Sequence, residues 1–415
     1  MNPIRLVPAD ELQLRPRLGV AKLAKLAFDG NDMNPLWADM VSKLKADPTD
    51  VDTAMDLSIV AQLTEQKTLG LELQAQALAV RALYRSPCAA ERPRLTVLAF
   101  AAATDIGGNT PLEFLLEDSD IALYTFYVVP GMALPEALPD HDVAFVAVPD
   151  SDETRLTLQE IQRLTHNWPR PVINTARKIG ELERDRLFRL LANVSGLAVP
   201  ATARIDRDDL HDAVNGEAPL SDLMAGAQFP LIVRPVGSQA GRGLDKLESI
   251  DDVEPYLAFW PDEDFFISPF IDYSGDDGLF RKYRIVFVDG APYACHMAIA
   301  EEWRLWYLNA DMSQSEDKRA EEAHFMTEFD RDFARRHGSA LHEIALRTGL
   351  DYFAIDCAET QTGDLLIFEA DIAMIVHNMD PAELYPYKAP QMRKIFAAFA
   401  AMLEARAGKS RAEAA

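Results

Sequence analysis

The sequence predicts a protein of mixed α/β and α+β class in three consecutive parts. Apolar residues recur at helical spacing between residues 18 and 86, which predicts an all-helical first part. Short apolar β-rich runs then alternate with helical patterns up to about residue 180, as in doubly wound parallel sheets. Beyond that point, pairs of β-rich runs flank glycine turns. We therefore expect domains at residues 1–90, 91–180 and 181–405.

The composition is that of a globular protein with a strong acidic bias. The chain has 415 residues, 48% of them hydrophobic, and a formal net charge of −25. No apolar run is long enough to span a bilayer, and the N-terminal stretch lacks the apolar core of a secretory signal. The net charge disfavours nucleic-acid binding, and three widely spaced cysteines disfavour a disulfide framework or a zinc site. We expect a cytoplasmic protein without nucleic-acid or membrane partners.

The N-terminal part is predicted to contain helices only. Val20, Leu23 and Leu26 follow a helical period, and residues 71–84 form another amphipathic run directly after Gly70. The glycine step before an alanine-rich helix resembles a tetratricopeptide-like helix pair. One pair is too short for such an array, which needs about three repeats. The pattern favours a helical cap packed on the rest of the chain, with a peptide-docking role as the alternative.

The second part is predicted to be a parallel sheet with helices on its faces. Its four candidate strands are Leu95–Ala101, Ile121–Val129, Val143–Val148 and Pro171–Asn174. A turn with Gly107 and Gly108 follows the first strand, and Thr110 is the expected N-cap of a helix after it. Residues 157–164 also have a helical pattern. The two glycines could approach a ligand closely, but they do not form a dinucleotide-binding motif.

A strand followed by a glycine-rich loop is predicted at residues 229–244. The apolar run ends in Arg234, and the loop contains Ser238, Gly241 and Gly243. Glycines let backbone N–H groups close on a polyphosphate with no side chain in the way. A glycine-rich loop alone is often only a turn. The order of strand, cation and loop indicates a phosphate-binding flap.

Residues 351–380 predict a hairpin with acidic residues at the end of each strand, after a charged helical pattern over residues 320–348. Period-two alternation places Glu369 and Asp371 on one face of the second strand. Pairing of the two strands would bring Asp356 to that face. Such oxygen ligands suit Mg²⁺, which takes its remaining ligands from water and phosphates. The alternative is a solvated hairpin with three surface acids.

The flap and the hairpin together resemble the ATP-grasp ligases, which include D-alanine–D-alanine ligase and the peptide glutamate ligases. Asp356 precedes Glu369 by 13 positions and Asp371 follows by 2, which is the spacing of the metal-binding residues in D-alanine–D-alanine ligase. Asp371 stands where those ligases usually have asparagine. Arg234 and Arg186 stand where they usually have lysine, although arginine also contacts phosphate oxygens, as a forked donor.

The resemblance implies roles for further residues. Residues 264–272 resemble the strand and linker that hold adenine, although the glutamate usual near the end of that segment is not evident. Residues 281–290 resemble the strand that carries phosphate-facing cations, and the acidic and aromatic segment after it would line the acceptor pocket. The implied site residues are Arg186, Arg234, Ser238, Gly241, Gly243, Ser268, Phe270, Ile271 and Lys282 for ATP, Arg284, His296 and Arg304 for catalysis, and Asp356, Glu369 and Asp371 for the metal.

The function implied by the resemblance is that of an ATP-dependent carboxylate–amine ligase, which uses Mg²⁺ and forms an acyl phosphate. Residues 281–307 of this acidic chain carry a group of basic side chains, namely Arg281, Lys282, Arg284, His296 and Arg304, which indicates that an anionic substrate group is held there. The alternative is that they only balance Glu301, Glu302 and nearby acids. The implied substrates are a carboxylate and an amine, as small molecules or on a peptide, and a homodimer is one expectation. A catalytically weakened nucleotide-binding regulator, or a scaffold, is the alternative, because arginine and aspartate replace the usual lysines and asparagine.

Overall fold

The computed structural model describes residues 4–238 and 241–413. It has a mixed α/β fold, and the strands of the described residues form four sheets. The second part of the chain contains a five-stranded sheet, and the third part contains one sheet of four strands and one of five. A two-stranded sheet joins the N-terminus to residues 137–139. Within the described residues, no helix has the length and apolarity that crossing a bilayer requires.

The N-terminal part contains four helices and two short strands. Its elements are β1 (Arg5–Val7), α1 (Val20–Phe28), α2 (Asn34–Ala46), α3 (Val51–Leu63), α4 (Lys67–Val80) and β2 (Leu83–Arg85). The helices α3 and α4 approach closely at Gly70, where an added Cβ would lie 2.7 Å from the carbonyl oxygen of Ser58. The prediction of helices only is wrong at β2, because Leu83 and Tyr84 are buried against the sheet of the second part.

The second part is built on a five-stranded sheet. Its elements are β3 (Leu95–Ala101), α5 (Leu112–Leu115), β4 (Ile121–Tyr127), β5 (Ala137–Pro139), β6 (Val143–Val146), α6 (Arg155–Thr165), β7 (Val172–Ile173) and α7 (Ala176–Ile179). The strand order is β2-β4-β3-β6-β7, and every pair except β2–β4 is parallel, as the four predicted strands required. The predicted N-cap is wrong by one residue. Pro111 is the N-cap of α5, which begins at Leu112. The hydroxyl of Thr110 does not cap the helix because it donates to the carbonyl of Ala147.

A four-stranded antiparallel sheet begins the third part. The elements here are α8 (Arg184–Leu191), β8 (Leu197–Ala198), β9 (Ala203–Asp206), α9 (Arg207–Asn215), α10 (Leu220–Leu223), β10 (Leu231–Pro235), β11 (Asp245–Leu247), α11 (Val253–Phe259) and β12 (Asp264–Pro269). The order is β11-β10-β12-β9. Leu231 and Val233 of β10 pack into a core with Tyr256 of α11, so Ile232 and Arg234 lie on the opposite face of the strand.

A five-stranded sheet and the helices behind it complete the chain. The elements are β13 (Phe280–Val288), β14 (Ala291–Ala300), α12 (Glu316–Glu328), α13 (Phe333–Arg336), α14 (Gly338–Thr348), β15 (Tyr352–Glu359), β16 (Leu365–Asp371) and α15 (Lys388–Glu413). The order is β14-β13-β15-β16-β8, and the β15–β16 pair confirms the predicted hairpin. The single helix predicted over residues 320–348 is wrong. The chain breaks between α12 and α13, where Phe329 and Phe333 stack at 5.8 Å in the core.

One hydrophobic core joins the second part to the five-stranded sheet of the third part. Phe145 of β6, Tyr352 of β15 and Phe399 of α15 lie in mutual contact, with ring centroids 5.2 to 6.3 Å apart. Asn174, which follows β7, accepts from the Tyr352 N–H at 3.0 Å and donates to its carbonyl at 2.6 Å. The four-stranded sheet has a separate core, so a cleft remains between it and the five-stranded sheet.

Candidate functional site

The cleft between the two sheets of the third part is lined both by apolar, largely aromatic side chains and by charged side chains. Its volume is about 150 Å³. The apolar lining includes Phe266, Phe270, Ile271, Trp303, Leu305 and Phe368. The charged lining consists of Arg184, Arg234, Lys282 and Glu369. A ligand with a flat apolar group and an anionic group would match both kinds of lining.

A row of charged residues crosses the five-stranded sheet beside this cleft. Arg284 of β13 lies opposite Asp356 of β15, and Asp356 lies opposite Glu369 of β16. Lys282 lies two residues from Arg284 and therefore points to the same face of β13. The registers shift directly after Arg284 and after Asp356, and such bulges often redirect side chains near functional sites. The predicted hairpin thus brings its first two acids together with two predicted cations.

Asp356 is fully engaged by cations. Its Oδ1 accepts from Arg284 Nε at 2.8 Å, and its Oδ2 accepts from Arg284 Nη2 at 3.1 Å and lies 2.8 Å from Lys282 Nζ. Burial disfavours a charge on this carboxyl, but Arg284 and Lys282 outweigh burial and hold the pKa of Asp356 well below its usual range. The Asp356 carboxylate is therefore negative and has both oxygens paired.

Glu369 and Asp371 retain more free oxygen atoms. Arg184 of α8 pairs with Glu369 Oε2 and also donates to the Phe368 carbonyl at 2.8 Å. Burial opposes ionisation of Glu369, but Arg184 prevails and lowers the pKa of this carboxyl. Asp371 accepts one hydrogen bond from the Ala373 N–H at 3.0 Å, and burial raises its pKa to about 6. A positive charge brought to this edge would favour the ionised form of Asp371.

Arg234 connects the cleft to the glycine-rich loop. Its guanidinium donates to the Ser238 carbonyl and, at 3.2 Å, to the Ser238 hydroxyl. Burial, and then the positive charge of Arg184 nearby, lower the pKa of Arg234. The anionic groups around Arg234 therefore do not compensate for the cost of burying its charge. Gly243 has φ +64°, and a Cβ there would collide with the ring of Pro235. Gly241 has φ +74°, while Gln239 and Ala240 of the predicted flap lie outside the described residues.

The segment predicted to hold adenine contributes to the lining of the cleft. Ser268, Phe270 and Ile271 all contribute to its wall. The Phe270 ring meets Trp303 edge-on at 5.7 Å, and Lys246 Nζ lies 4.6 Å from the centre of the same ring. This arrangement provides an aromatic surface suited to a planar ring system.

Several predicted site residues do not line the cleft, among them Arg186, His296 and Arg304. Arg186 pairs with Asp150 and with Glu183, at 2.6 Å from the latter. His296 lies opposite Arg284 on the neighbouring strand. Its side chain is half-buried, its Nδ1 is buried and unpaired among the described residues, and desolvation lowers its pKa far below the usual value. Arg304 is exposed, and its side chain donates to the Leu244 carbonyl at 3.4 Å. Their proposed roles remain predictions.

Arg184 and Trp303 are cleft residues that the motif comparison did not select. Arg184 precedes Arg186 by two positions, and residues two apart on a helix do not face the same side. The sequence signal that could have found Arg184 is the run of residues 183–186. This run contains two arginines, and either of them could take the phosphate-binding role that was assigned to Arg186 alone. Trp303 had a signal in the acidic and aromatic segment after β14, which was assigned to the acceptor pocket instead.

The donor set at this edge can be compared with the requirements of Mg²⁺. Within residues 4–238 and 241–413, no three acidic, histidine or cysteine side chains are grouped closely enough to hold a metal ion on their own. Mg²⁺, however, is usually held by one or two carboxylates together with substrate phosphates. Glu369 and Asp371 have oxygens without a cation and fit that pattern, whereas Asp356 would first have to release Arg284 or Lys282.

Comparison with known proteins gives a general likeness of fold. No protein-family model and no curated protein matches the chain. Among solved structures, D-alanine–D-alanine ligase from Bacillus anthracis complexed with ATP is 13% identical over 77% of this chain and 99% of that one, with a TM-score of 0.46. A RimK-domain ATP-grasp protein from Sphaerobacter thermophilus is 15% identical over 74% and 99%, with a TM-score of 0.42. D-cycloserine synthetase is 13% identical over 74% and 99%, with a TM-score of 0.43. Nothing about the chemistry of the site rests on these low values.

Proposed function

We propose that the protein is an ATP-dependent carboxylate–amine ligase that forms an amide or peptide bond through an acyl phosphate. The observation that supports this best is that one cleft is lined by aromatic side chains together with three cations and a carboxylate. A nucleoside triphosphate has groups that match both kinds of lining, a planar base and a polyphosphate. The spacing of Asp356, Glu369 and Asp371 adds independent support from the sequence.

Nucleotide binding would require the cleft to open. Its volume of about 150 Å³ is below the range of about 300 to 1,000 Å³ that is usual for ligand pockets. The four-stranded sheet has its own core, so it can move as a unit with its flap. Arg234 would then exchange its contacts with Ser238 for phosphate oxygens, which bind a guanidinium more strongly than a neutral carbonyl does.

The chain supplies positive charge where negative charge would develop in the reaction. A carboxylate oxygen of one substrate attacks the γ-phosphorus, the bond to ADP breaks, and an acyl phosphate forms. The amine then attacks the acyl carbon, loses a proton and displaces phosphate. Lys282 and Arg284 lie on the face of β13 where they can stabilise the phosphoryl oxygens. Mg²⁺ held by Glu369 and Asp371 would supply further electrostatic stabilisation of the phosphates.

The decisive experiment measures ADP and phosphate release from ATP and Mg²⁺ with pools of carboxylic acids, amines and amino acids. Hydroxylamine is included in a parallel reaction, because it traps an acyl phosphate as a hydroxamate. We expect ADP release only when an acid is present, together with a hydroxamate that contains that acid. Release of AMP and pyrophosphate, or turnover that is independent of every acid, would contradict the proposal.

A nucleotide-binding regulator without ligase activity is the second candidate. The observation that favours it is the pairing of both Asp356 oxygens with Arg284 and Lys282, which leaves this carboxylate unavailable to a metal. Such a protein would bind ATP tightly but would turn it over with no acid and amine pair. Calorimetric ATP binding in the absence of any product therefore distinguishes it from the ligase.

A further inference from the structure

A second cavity lies between the N-terminal helices and the sheet of the second part. Its volume is about 460 Å³, about three times that of the cleft. The helices α1 and α3 form one wall, and the strands β3 and β4 form the other. The rim consists of the loop at 104–114 and the segment at 375–379, which follows the acidic strand β16. The proposed ATP site makes no use of this cavity.

The cavity is mainly apolar. Val20 and Ala24 of α1 and Ile59 of α3 line one side of it. Phe28 and Ile375 lie at the rim and leave 48% and 45% of their surface exposed, which is unusual for large apolar side chains in this protein. Exposed apolar surface that continues into a cavity is typical of a ligand site.

The floor of the cavity carries polar groups. Thr125 and Tyr127 of β4 face it, and neither hydroxyl has a hydrogen-bond partner among the described residues. Arg17 and Glu113 also line it and lie 3.5 Å apart, and Arg17 lies 3.3 Å from Asp56 as well, so two carboxylates surround one guanidinium. Partly buried hydroxyls usually have partners, and a neutral group that can both donate and accept would satisfy these two. An anionic group would gain little here, because two carboxylates already surround Arg17.

The rim of the cavity adjoins the candidate reaction site. The Ile375 side chain lines the cavity, while its carbonyl accepts from Arg284 Nη1 at 3.2 Å. Arg284 in turn holds Asp356. His377 also lines the cavity, and its Nδ1 accepts from the Met379 N–H at 3.2 Å, so a neutral ring carries its proton on Nε2. A molecule in the cavity could therefore present its end to the residues that surround the proposed phosphoryl transfer.

We propose that this cavity binds one of the two substrates, an amino acid with a large apolar side chain that ends in a neutral hydrogen-bonding group, as tyrosine does. Its side chain lies between α1, α3 and the sheet, with the terminal group at Thr125 and Tyr127. Its amino or carboxyl group lies at residues 375–379, beside Arg284. Amino-acid binding in the cavity does not depend on the ligase proposal. The reaction that the bound amino acid would undergo rests on that proposal.

The test uses calorimetry on the full chain with L-tyrosine, L-phenylalanine, glycine and L-glutamate, each with and without Mg²⁺ and a non-hydrolysable ATP analogue. We expect tyrosine to bind more tightly than phenylalanine, and both to bind far more tightly than glycine or glutamate. Thr125→Val should weaken tyrosine binding about three- to tenfold and leave phenylalanine unchanged, because only one hydrogen bond is lost. Ala24→Phe should fill the cavity and weaken both by about tenfold or more.

Two controls separate the cavity from the fold and from the ATP site. Ala38→Phe places the same side chain on an exposed position of α2, and amino-acid binding should be unchanged. Binding of the ATP analogue should be unchanged in every variant. If Ala24→Phe lowers the unfolding temperature, the test rests on Thr125→Val alone. Valine has nearly the same side-chain volume as threonine, so this substitution leaves the packing intact.

The outcomes distinguish failure of the cavity from failure of the ligase. Equal binding of tyrosine and glycine, no binding of any of the four, or unchanged tyrosine affinity in Thr125→Val would overturn the cavity assignment. If Ala24→Phe folds normally but joins tyrosine with the wild-type KM, the ligase stands and the cavity assignment falls. If the cavity substitutions weaken tyrosine binding but no ADP is released under any condition, the cavity assignment is supported and the ligase proposal is not.

Discussion

Replacement of Arg234 by methionine should separate ATP binding from folding stability. Methionine keeps much of the apolar length of arginine but removes the charge. If Arg234 contacts a phosphate, the variant loses charge-assisted hydrogen bonds worth about 1.5 to 3 kcal/mol. The dissociation constant for ATP should then rise by about 10- to 150-fold. The dissociation constant of Arg234→Lys should lie between those of the wild type and Arg234→Met, because lysine keeps the charge but cannot donate two parallel hydrogen bonds.

The effect on the stability of the free protein should have the opposite sign. Burial and then Arg184 lower the pKa of Arg234, so the folded protein disfavours this charge relative to the unfolded chain. At neutral pH the guanidinium is charged in both states, and its charge therefore reduces the free energy of unfolding. Arg234→Met should leave the unfolding temperature unchanged or raise it, even though two contacts to Ser238 are lost.

The assay is calorimetric titration with the ATP analogue and Mg²⁺, beside thermal unfolding of the free protein. Arg242→Met is the matched control, because Arg242 lies on the same loop but is 49% exposed and pairs with Asp262. The control should bind the analogue as the wild type does. An Arg234→Met protein with wild-type affinity would refute the role of Arg234. A parallel loss of affinity and stability would instead assign Arg234 to the fold.

Three further predictions concern the metal edge and the flap. Glu369→Gln should lower ATP turnover by about 100- to 1,000-fold with an unchanged circular dichroism spectrum, because one anionic ligand for the phosphate-bound metal is lost. Gly243→Ala should raise the ATP dissociation constant about fivefold or more, since φ +64° is strained for alanine and its Cβ would meet Pro235. Mg²⁺ alone should not shift the unfolding temperature, whereas Mg²⁺ with ATP should raise it, because the cations on Asp356 leave too few carboxylates for an all-protein site.

Each of these predictions has its own control. Glu217→Gln makes the same change at an exposed position and should keep full turnover. Gly278→Ala places alanine at φ +77° in open space, so it reports strain without a collision and without contact with the flap. Unchanged turnover in Glu369→Gln, or equal ATP affinities in the wild type and Gly243→Ala, would count against the assigned site. A rise in unfolding temperature with Mg²⁺ alone would indicate a preformed metal site.

The local pattern of the sequence determined the strands and the acidic hairpin. Strand pairing was expected to bring Asp356 to the face of Glu369, and the structure has the two directly opposite each other. The expected end of the first strand at Asp356 is wrong, because β15 stays paired with β16 up to Glu359. The apolar runs of the second part likewise became strands of a parallel sheet. These features depend on residues close in sequence, on backbone geometry and on the period of two, so the sequence alone was sufficient.

Tertiary structure decided which charged groups meet. The orientation of α8 places Arg184 at Glu369 and turns Arg186 towards Asp150, and neither spacing nor composition distinguishes these two arginines. The same holds for the cations on Asp356, which come from a strand more than seventy residues earlier. The second cavity also exists only because the N-terminal helices pack against β3 and β4. Contacts between residues far apart in the chain depend on how whole elements pack, and the periodicity of a single element does not encode that packing.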